Sequence, residues 1–158
     1  FIYLGIGSNL GNRKKNIETA KYKLIENNIE ILKISNFYES LSWPNTQNPK
    51  FLNIVLQIVT KETPHNLLKI CKKIEAILGR KKSAKNAPRI CDIDILDFER
   101  KLINNNMELP HPRMHKRNFV LFPLFQIQKN WSHPDKKIDV KTLISLLPDR
   151  DIRSIKQI

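Results

Sequence analysis

The sequence predicts an α+β sandwich whose elements follow the order βαββαβ, and three observations support this. Four short apolar segments have the composition typical of strands, and they lie at 1–6, 29–38, 51–60 and 90–98. Two further segments, 13–27 and 63–79, carry apolar residues at helical spacing. The chain has 158 residues, of which 41% are hydrophobic, and this suits a single domain spanning 1–158. Together these features predict a ferredoxin-like fold, an antiparallel sheet with two helices on one face.

Local signals predict where the two helices begin and end. Asn12 is expected to cap the first helix, and Thr63 followed by Pro64 is a strong start for the second. Gly79 is expected to end the second helix. The apolar stripe of the first helix is predicted to comprise Ile17, Ala20, Leu24 and Ile25.

The residues beyond 98 are predicted to form an added C-terminal piece. It comprises a hairpin at 102–109 and helices near 116–127 and 140–147. His65 and His133 match no motif, and we expect both to lie at the surface. Phe1 already belongs to a strand, so we expect further residues to precede it.

Composition limits the class of protein. No apolar run reaches the roughly 18 residues that span a bilayer, so we expect no membrane partner. Cys71 and Cys91 form no CxxC motif and are predicted to be buried thiols of a cytoplasmic protein.

The charge indicates a polyanionic partner. Lys and Arg number 28 against 15 Asp and Glu, which gives a net charge of +13. Between positions 61 and 89 there are nine Lys or Arg and two Glu. This local excess favours nucleic acid or a nucleotide as partner. A Lys-rich composition caused by genomic base bias is the alternative explanation for the overall charge.

The stretch RICDIDIL, residues 89–96, predicts a strand with two aspartates on one face. Alternation puts Cys91, Ile93 and Ile95 on the apolar face and Asp92 and Asp94 on the other. Divalent cations would relieve the repulsion between the two carboxylates, and two Mg²⁺ ions could clamp a transferring phosphoryl group there. A solvated strand face that pairs with Lys or Arg is the alternative.

The basic residues just upstream favour the metal site over that alternative. They are Arg80, Lys81, Lys82, Lys85 and Arg89. Carboxylates that bind metal beside a basic loop suit a polyphosphate, since phosphoryl transfer depends mainly on alignment and charge neutralisation.

Five blocks of sequence, in this order and spacing, resemble the 6-hydroxymethyl-7,8-dihydropterin pyrophosphokinase family of folate biosynthesis. The blocks are GIGSNLGNR (5–13), FLN (51–53), IEAILGR (74–80), PRICDIDIL (88–96) and LPHPRMHKRNFVLFPL (109–124). The resemblance runs from position 3 to about 148. It implies a ferredoxin-like core and transfer of pyrophosphate from the co-substrate ATP to the hydroxymethyl group of the pterin, releasing AMP. It also implies that the chain could be fused to, or associated with, another folate enzyme, especially dihydropteroate synthase.

The resemblance implies a pterin site and a metal site. Asp92 and Asp94 would hold two Mg²⁺ ions, and Asp94 would also lie near the pterin hydroxyl group. Phe51 and Phe119 would stack on the two faces of the pterin, and the Asn53 amide would bind its edge. The loop residues implied on the remaining edge are Ser40, Leu41 and Trp43. From spacing alone, Phe51 and Phe119 could instead be core residues.

The resemblance also implies an ATP site. The matched residues are Glu75, Arg80, Lys82, Arg89, His111, Arg113 and Arg117. Arg80 and Arg89 would act with the two aspartates in catalysis. His111, which lies between two prolines, could instead be a turn histidine. The GSNLG turn resembles a structural signature and lacks the Gly-Lys-Ser/Thr ending of a phosphate loop.

One departure from the family concerns the residues before Pro88. Many members carry Trp-Gly there, whereas this chain has Asn86 and Ala87. The aromatic residue is therefore missing, and Trp43 is a candidate replacement.

Two other functions compete with the enzyme. A basic ferredoxin-like RNA-binding domain would carry aromatic residues in a K/R-G-F/Y-G/A-F-V-x-F/Y pattern, which this sequence lacks, so nucleic acid is not the expected partner. A pseudoenzyme would not need the metal and stacking residues that this chain keeps. The expected partners are therefore ATP and the hydroxymethyldihydropterin.

Overall fold

The computed structural model describes residues 1–79 and 86–158. The strands are β1 (Ile2–Ser8), β2 (Glu30–Ile34), β3 (Tyr38–Ser40), β4 (Phe51–Val59), β5 (Asp92–Phe98), β6 (Ile103–Asn105), β7 (Met107–Leu109) and β8 (Lys156–Gln157). The helices are α1 (Arg13–Glu26), α2 (Pro64–Ile77), α3 (Asn118–Ile127), α4 (Val140–Ser145) and α5 (Asp149–Ser154), with a 3₁₀ turn at Met114–Lys116. Within these described ranges, no helix is long and apolar enough to cross a bilayer.

The main sheet is antiparallel and has β1 near its centre. Its strand order is β5-β1-β4-β3-β8, and β2 also pairs with β4. The hairpin β6–β7 forms a separate two-stranded sheet. The predicted α+β class is confirmed, and the order βαββαβ holds when β2 and β3 are counted as the one strand predicted over 29–38. The predicted helix signals are confirmed as well, since the side chains of Asn12 and Thr63 cap α1 and α2.

The prediction of one strand over 29–38 was wrong, because the segment forms two strands, β2 and β3, which pair one after the other with different parts of β4. Ser35 lies at the break between them. Its backbone N–H donates to Val55 O at 3.0 Å, and its Oγ accepts from Val55 N at 2.9 Å. The hydroxyl thus replaces a backbone partner of β4 and lets the chain change course without leaving a buried N–H unpaired.

One face of the sheet packs against α1 and α2. The cluster between them contains Ile17, Ala20 and Leu24 of α1 together with the apolar faces of the central strands. The prediction that Ile25 joins this stripe was wrong, since its side chain is 54% exposed. Successive helical residues differ by about 100°, so the position after Leu24 turns toward solvent.

The opposite face carries a second apolar cluster, formed by the added C-terminal piece. Helix α3 packs against β4, and α4 packs against α3. Val55, Leu96 and Trp131 belong to this cluster. Both faces of the sheet are therefore covered. The predicted hairpin and the predicted helices near 116–127 and 140–147 are confirmed, whereas α5 and β8 were not predicted.

A buried carboxylate anchors the second cluster to β5. An extra residue at Leu96 shifts the register with β1, so Asp97 faces the same side as Leu96. Asp97 is 1% exposed and accepts hydrogen bonds from Trp131 Nε1 and Arg100 N, both at 2.9 Å. The surface position expected for His133 was wrong, because its ring is buried beside Trp131 and its Nδ1 accepts from the backbone N–H of Lys136.

We expect Trp131→Phe to lower the free energy of unfolding by about 1–3 kcal/mol, because the carboxylate of Asp97 loses a buried donor. Urea denaturation followed by circular dichroism measures this change. Trp43→Phe is the matched control, since Trp43 is 44% exposed and belongs to neither cluster. Equal stability of the two variants would contradict the anchoring role of Asp97.

Candidate active site

A cavity of about 670 Å³ opens on the same face of the sheet as the second apolar cluster. Its walls come from β1, β4 and β5, from the loop after β3 and from the start of α3. Twelve of the fifteen predicted site residues line it: Ser40, Leu41, Trp43, Phe51, Asn53, Arg89, Asp92, Asp94, His111, Arg113, Arg117 and Phe119. Its volume lies within the range of small-molecule sites.

The predicted alternation along β5 is confirmed. Ile93 and Ile95 belong to the first apolar cluster, whereas Asp92 and Asp94 line the cavity. Each carboxylate contacts an arginine: Arg89 Nη1 lies 3.2 Å from Asp92 Oδ2, and Arg117 Nη1 lies 3.6 Å from Asp94 Oδ2. These pairs balance the two negative charges and leave both residues at the cavity surface.

The backbone of Arg89 is held by the GSNLG turn. Arg89 N donates to Asn9 Oδ1 at 2.7 Å, and Asn9 N donates to Arg89 O at 3.0 Å. The Nε of Arg89 is buried and has no hydrogen-bond acceptor among the described residues. The turn thus places the Arg89 guanidinium at the wall of the cavity, beside Asp92.

His111 is held so that one ring nitrogen is available. Its backbone N–H donates to Leu96 O at 2.8 Å, and its Nδ1 accepts from Arg113 N at 3.1 Å. The proton of the neutral ring therefore lies on Nε2. Burial lowers the pKa of His111; Asp94 opposes this shift, whereas Arg117 and Arg113 add to it. A neutral His111 can donate from Nε2 to an anionic oxygen.

The aromatic end of the cavity contains Phe51 and Phe119. Both are half-buried, and Phe119 also packs against the second apolar cluster while the Arg117 guanidinium lies 5.2 Å from its ring centre. Asn53 donates from Nδ2 to Ser40 Oγ at 2.9 Å. Two aromatic side chains and a fixed amide therefore line the same cavity, a combination suited to a flat heterocycle with polar edges.

The absence of a side chain at Gly7 leaves room for the Asn53 amide. Gly7 pairs with Asn53 on one side and with Asp92 on the other. A Cβ at Gly7 would lie 2.8 Å from Asn53 Oδ1, which is closer than ordinary packing allows. A side chain at this position would displace the Asn53 amide.

Glu75 does not line the cavity. It is 2% exposed on α2, and its Oε2 accepts from the N–H of Ile93, between the two aspartates, at 2.7 Å. Its Oε1 lies 3.5 Å from Lys72 Nζ. Glu75 therefore supports β5 beneath the site. Arg80 and Lys82, also predicted as site residues, lie outside the described residues.

The cavity also contains polar residues that were not predicted as site residues. They are Lys72, Asn86, Lys116, Asn118 and Asp151. Lys72 lies on α2, one turn before Glu75. Its positive charge close to a predicted site residue could have indicated that it belongs to the site. Within the described ranges, five Lys or Arg residues and three aspartates thus line the cavity.

The donor set fits magnesium. Carboxylate oxygens are the hard ligands that Mg²⁺ prefers, and Mg²⁺ commonly takes one or two of them, with phosphate and water completing its shell. Among the described residues, no group of three or more His, Cys, Asp or Glu could hold a metal. An ion at Asp92 and Asp94 would thus need ligands from a substrate.

Comparison with known proteins gives consistent results. Residues 3–129 match the family model of 7,8-dihydro-6-hydroxymethylpterin-pyrophosphokinase (HPPK). The 2-amino-4-hydroxy-6-hydroxymethyldihydropteridine pyrophosphokinase of Aquifex aeolicus is 43% identical over 134 residues, which cover 84% of this chain and 83% of that protein.

Longer proteins also match. The folic acid synthesis protein fol1 of Pneumocystis carinii is 37% identical over 155 residues, which cover 98% of this chain but 21% of that protein. Wild-type HPPK-DHPS of Plasmodium falciparum has a similar fold, with a TM-score of 0.71 at 14% identity over 99% of this chain and 47% of that one. The chain therefore belongs to the HPPK family, the pterin pyrophosphokinases of folate biosynthesis.

Proposed function

We propose that the cavity binds the pterin at its aromatic end and the ATP polyphosphate at its basic end, with two Mg²⁺ ions at Asp92 and Asp94. The observation that carries this proposal is the shared cavity, in which the carboxylate pair lies among stacking aromatic residues and five basic side chains. Pyrophosphate transfer needs the two substrates aligned and the phosphate charge neutralised, and the cavity offers groups for both.

At the basic end, Arg89, Arg117 and His111 bind phosphate oxygens. The Arg89 guanidinium and the Nε2 of His111 supply donors, and Arg117 supplies a guanidinium already directed at Asp94. Arg113 adds charge at the exposed rim. Arg80 and Lys82 are proposed to act with them, on the basis of the family resemblance. Such donors stabilise the negative charge that develops on the phosphates as the pyrophosphate group is transferred and AMP departs.

When bound, the Mg²⁺ ions supply positive charge that aligns and neutralises phosphate oxygens. Asp92 and Asp94 hold them. Asp94 is the more exposed of the two carboxylates, with a side chain 43% accessible. It can therefore also accept a hydrogen bond from the hydroxyl of the pterin hydroxymethyl group and orient that oxygen for attack on the pyrophosphate group of ATP.

At the aromatic end, Phe51 and Phe119 stack on the pterin ring. Asn53 and the backbone of Ser40 and Leu41 bind its edge. Trp43 covers the open side. Glu75, implied as an ATP residue by the resemblance, is proposed to act through β5 because its carboxylate holds the Ile93 N–H.

The RNA-binding alternative loses its physical basis in this fold. Ferredoxin-like RNA-binding domains stack bases on aromatic residues of an open sheet. Here α3 and the second apolar cluster cover that face, apart from the cavity.

We also propose that residues 1–158 act as one domain and work beside another folate enzyme. Both apolar clusters share one sheet, which supports the single domain. The matches to fol1 and to HPPK-DHPS, in which this chain spans a fifth and about half of the length, support the association.

Calorimetric titration with 6-hydroxymethylpterin tests the proposed site. We expect tighter pterin binding when a non-hydrolysable ATP analogue and Mg²⁺ are present, because both ligands share one cavity. Pterin without the hydroxymethyl group is the control, and it should bind without supporting AMP release from ATP. Absence of pterin binding under both conditions would contradict the proposal.

Asp94→Asn is expected to lower pterin-dependent AMP formation by at least about a hundredfold, because it removes a charged metal ligand. The assay is repeated over a range of Mg²⁺ concentrations. Asp135→Asn, the same change at an exposed aspartate outside the cavity, is the control. Near-normal turnover of the Asp94 variant would refute the metal assignment.

Gly7→Ala is expected to weaken pterin binding by roughly tenfold, since the displaced Asn53 amide loses about one hydrogen bond to the ligand. Nucleotide binding should change little. Gly5→Ala is the comparison, because a Cβ there would lie 3.5 Å from Leu96, an ordinary contact. Calorimetry with each ligand separates the effects, and equal losses in both variants would argue for a general effect on β1.

A further inference from the structure

The indole of Trp43 lies at the pterin end of the cavity on a loop that is fixed mainly at its base. Trp43 lines the cavity together with Ser40 and Leu41, yet it is 44% exposed. Asn9 Nδ2 holds both ends of this loop, through Ser42 Oγ and Pro49 O, each at 3.2 Å. These bonds fix the backbone of the loop but do not determine where the indole lies.

The contact that orients the indole comes from the C-terminal helix. The Cζ of Arg150, on α5, lies 4.8 Å from the centre of the Trp43 ring, which is within the range of a cation–π interaction. Arg150 does not line the cavity. Its Nε lies 3.7 Å from Oδ1 of Asp151, whose side chain is only 16% accessible, and this contact favours one direction of the Arg150 side chain.

Helix α5 is itself tied to two walls of the site. Asn118 Nδ2 donates to Asp151 O at 2.8 Å, and Asn118 directly precedes Phe119. After α5, strand β8 pairs with β3, with Gln157 opposite Tyr38 and Lys156 opposite Glu39. Since β3 leads into the Trp43 loop, α5 is held in place both at the Phe119 wall and at the start of this loop.

We propose that Arg150 is a positioning residue of the pterin site, which holds the Trp43 indole over the aromatic end of the cavity. The proposal rests on the proposed function of that cavity. An exposed indole without a fixed partner samples several rotamers, and ordering it on binding costs affinity. Arg150 orders the ring before the pterin binds. It therefore raises the affinity for the pterin, and it does so only through Trp43.

A double-mutant cycle tests this assignment. Arg150→Gln should raise the KM for pterin about two- to fivefold, the range of an exposed cation–π contact, with little change in the KM for ATP or in kcat. In the Trp43→Leu background the same change should have no effect. Arg150→Lys, which keeps the cation, should restore part of the loss. Arg153→Gln, an exposed arginine on the same helix, is the control.

Acrylamide quenching of tryptophan fluorescence gives a second readout that needs no substrate. Trp131 is buried, so quenching reports mainly on Trp43. Arg150→Gln should increase quenching, whereas Arg153→Gln should leave it unchanged.

Several results would overturn the assignment. An undiminished effect of Arg150→Gln in the Trp43→Leu background would mean that Arg150 acts on the substrate directly. Equal increases in both KM values, or unchanged quenching, would also refute it. A wild-type protein without pterin-dependent AMP formation would refute the proposed function instead, and the quenching result would still decide whether Arg150 orders the indole.

Discussion

The site depends on the buried side-chain amide of Asn9, a residue that is not proposed to touch either substrate. Its backbone and Oδ1 bind Arg89, and its Nδ2 binds the two ends of the loop after β3. Asn9 is 2% exposed, so each of these bonds forms away from competing water. One residue thereby joins Arg89 to the loop that carries Trp43. This explains why the GSNLG turn has a structural role and need not bind phosphate itself.

The positive partners of the paired aspartates are arginines that we also propose as ligand-binding residues. Arg89 and Arg117 each contact one carboxylate, so neither aspartate is left as an uncompensated charge in the cavity wall. A polyphosphate with Mg²⁺ offers each group a new partner of the required sign: the metal for the carboxylates and the phosphate oxygens for the arginines. The same four residues are thus compatible with both the stable fold and the bound state.

Sequence patterns predicted the parts of this protein that follow from local geometry. The alternation at 91–95 is a property of any strand, and the caps at Asn12 and Thr63 are satisfied within one turn. The break at Ser35 could not be predicted, because it depends on the N–H of Val55, which is distant in sequence. The contact between Arg150 and Trp43 likewise joins residues that are distant in sequence, so local patterns could not predict it.

The added C-terminal piece serves stability and the site through the same residues. Phe119 packs against the second apolar cluster while it lines the cavity, and Asn118 joins α3 to α5. The cluster in turn is fixed to β5 through Trp131 and Asp97, three positions beyond Asp94. A change that loosens this cluster is therefore expected to disturb both Phe119 and strand β5, which carries Asp92 and Asp94. The cavity is therefore complete only when the second face of the sheet is packed, because α3 contributes residues to both.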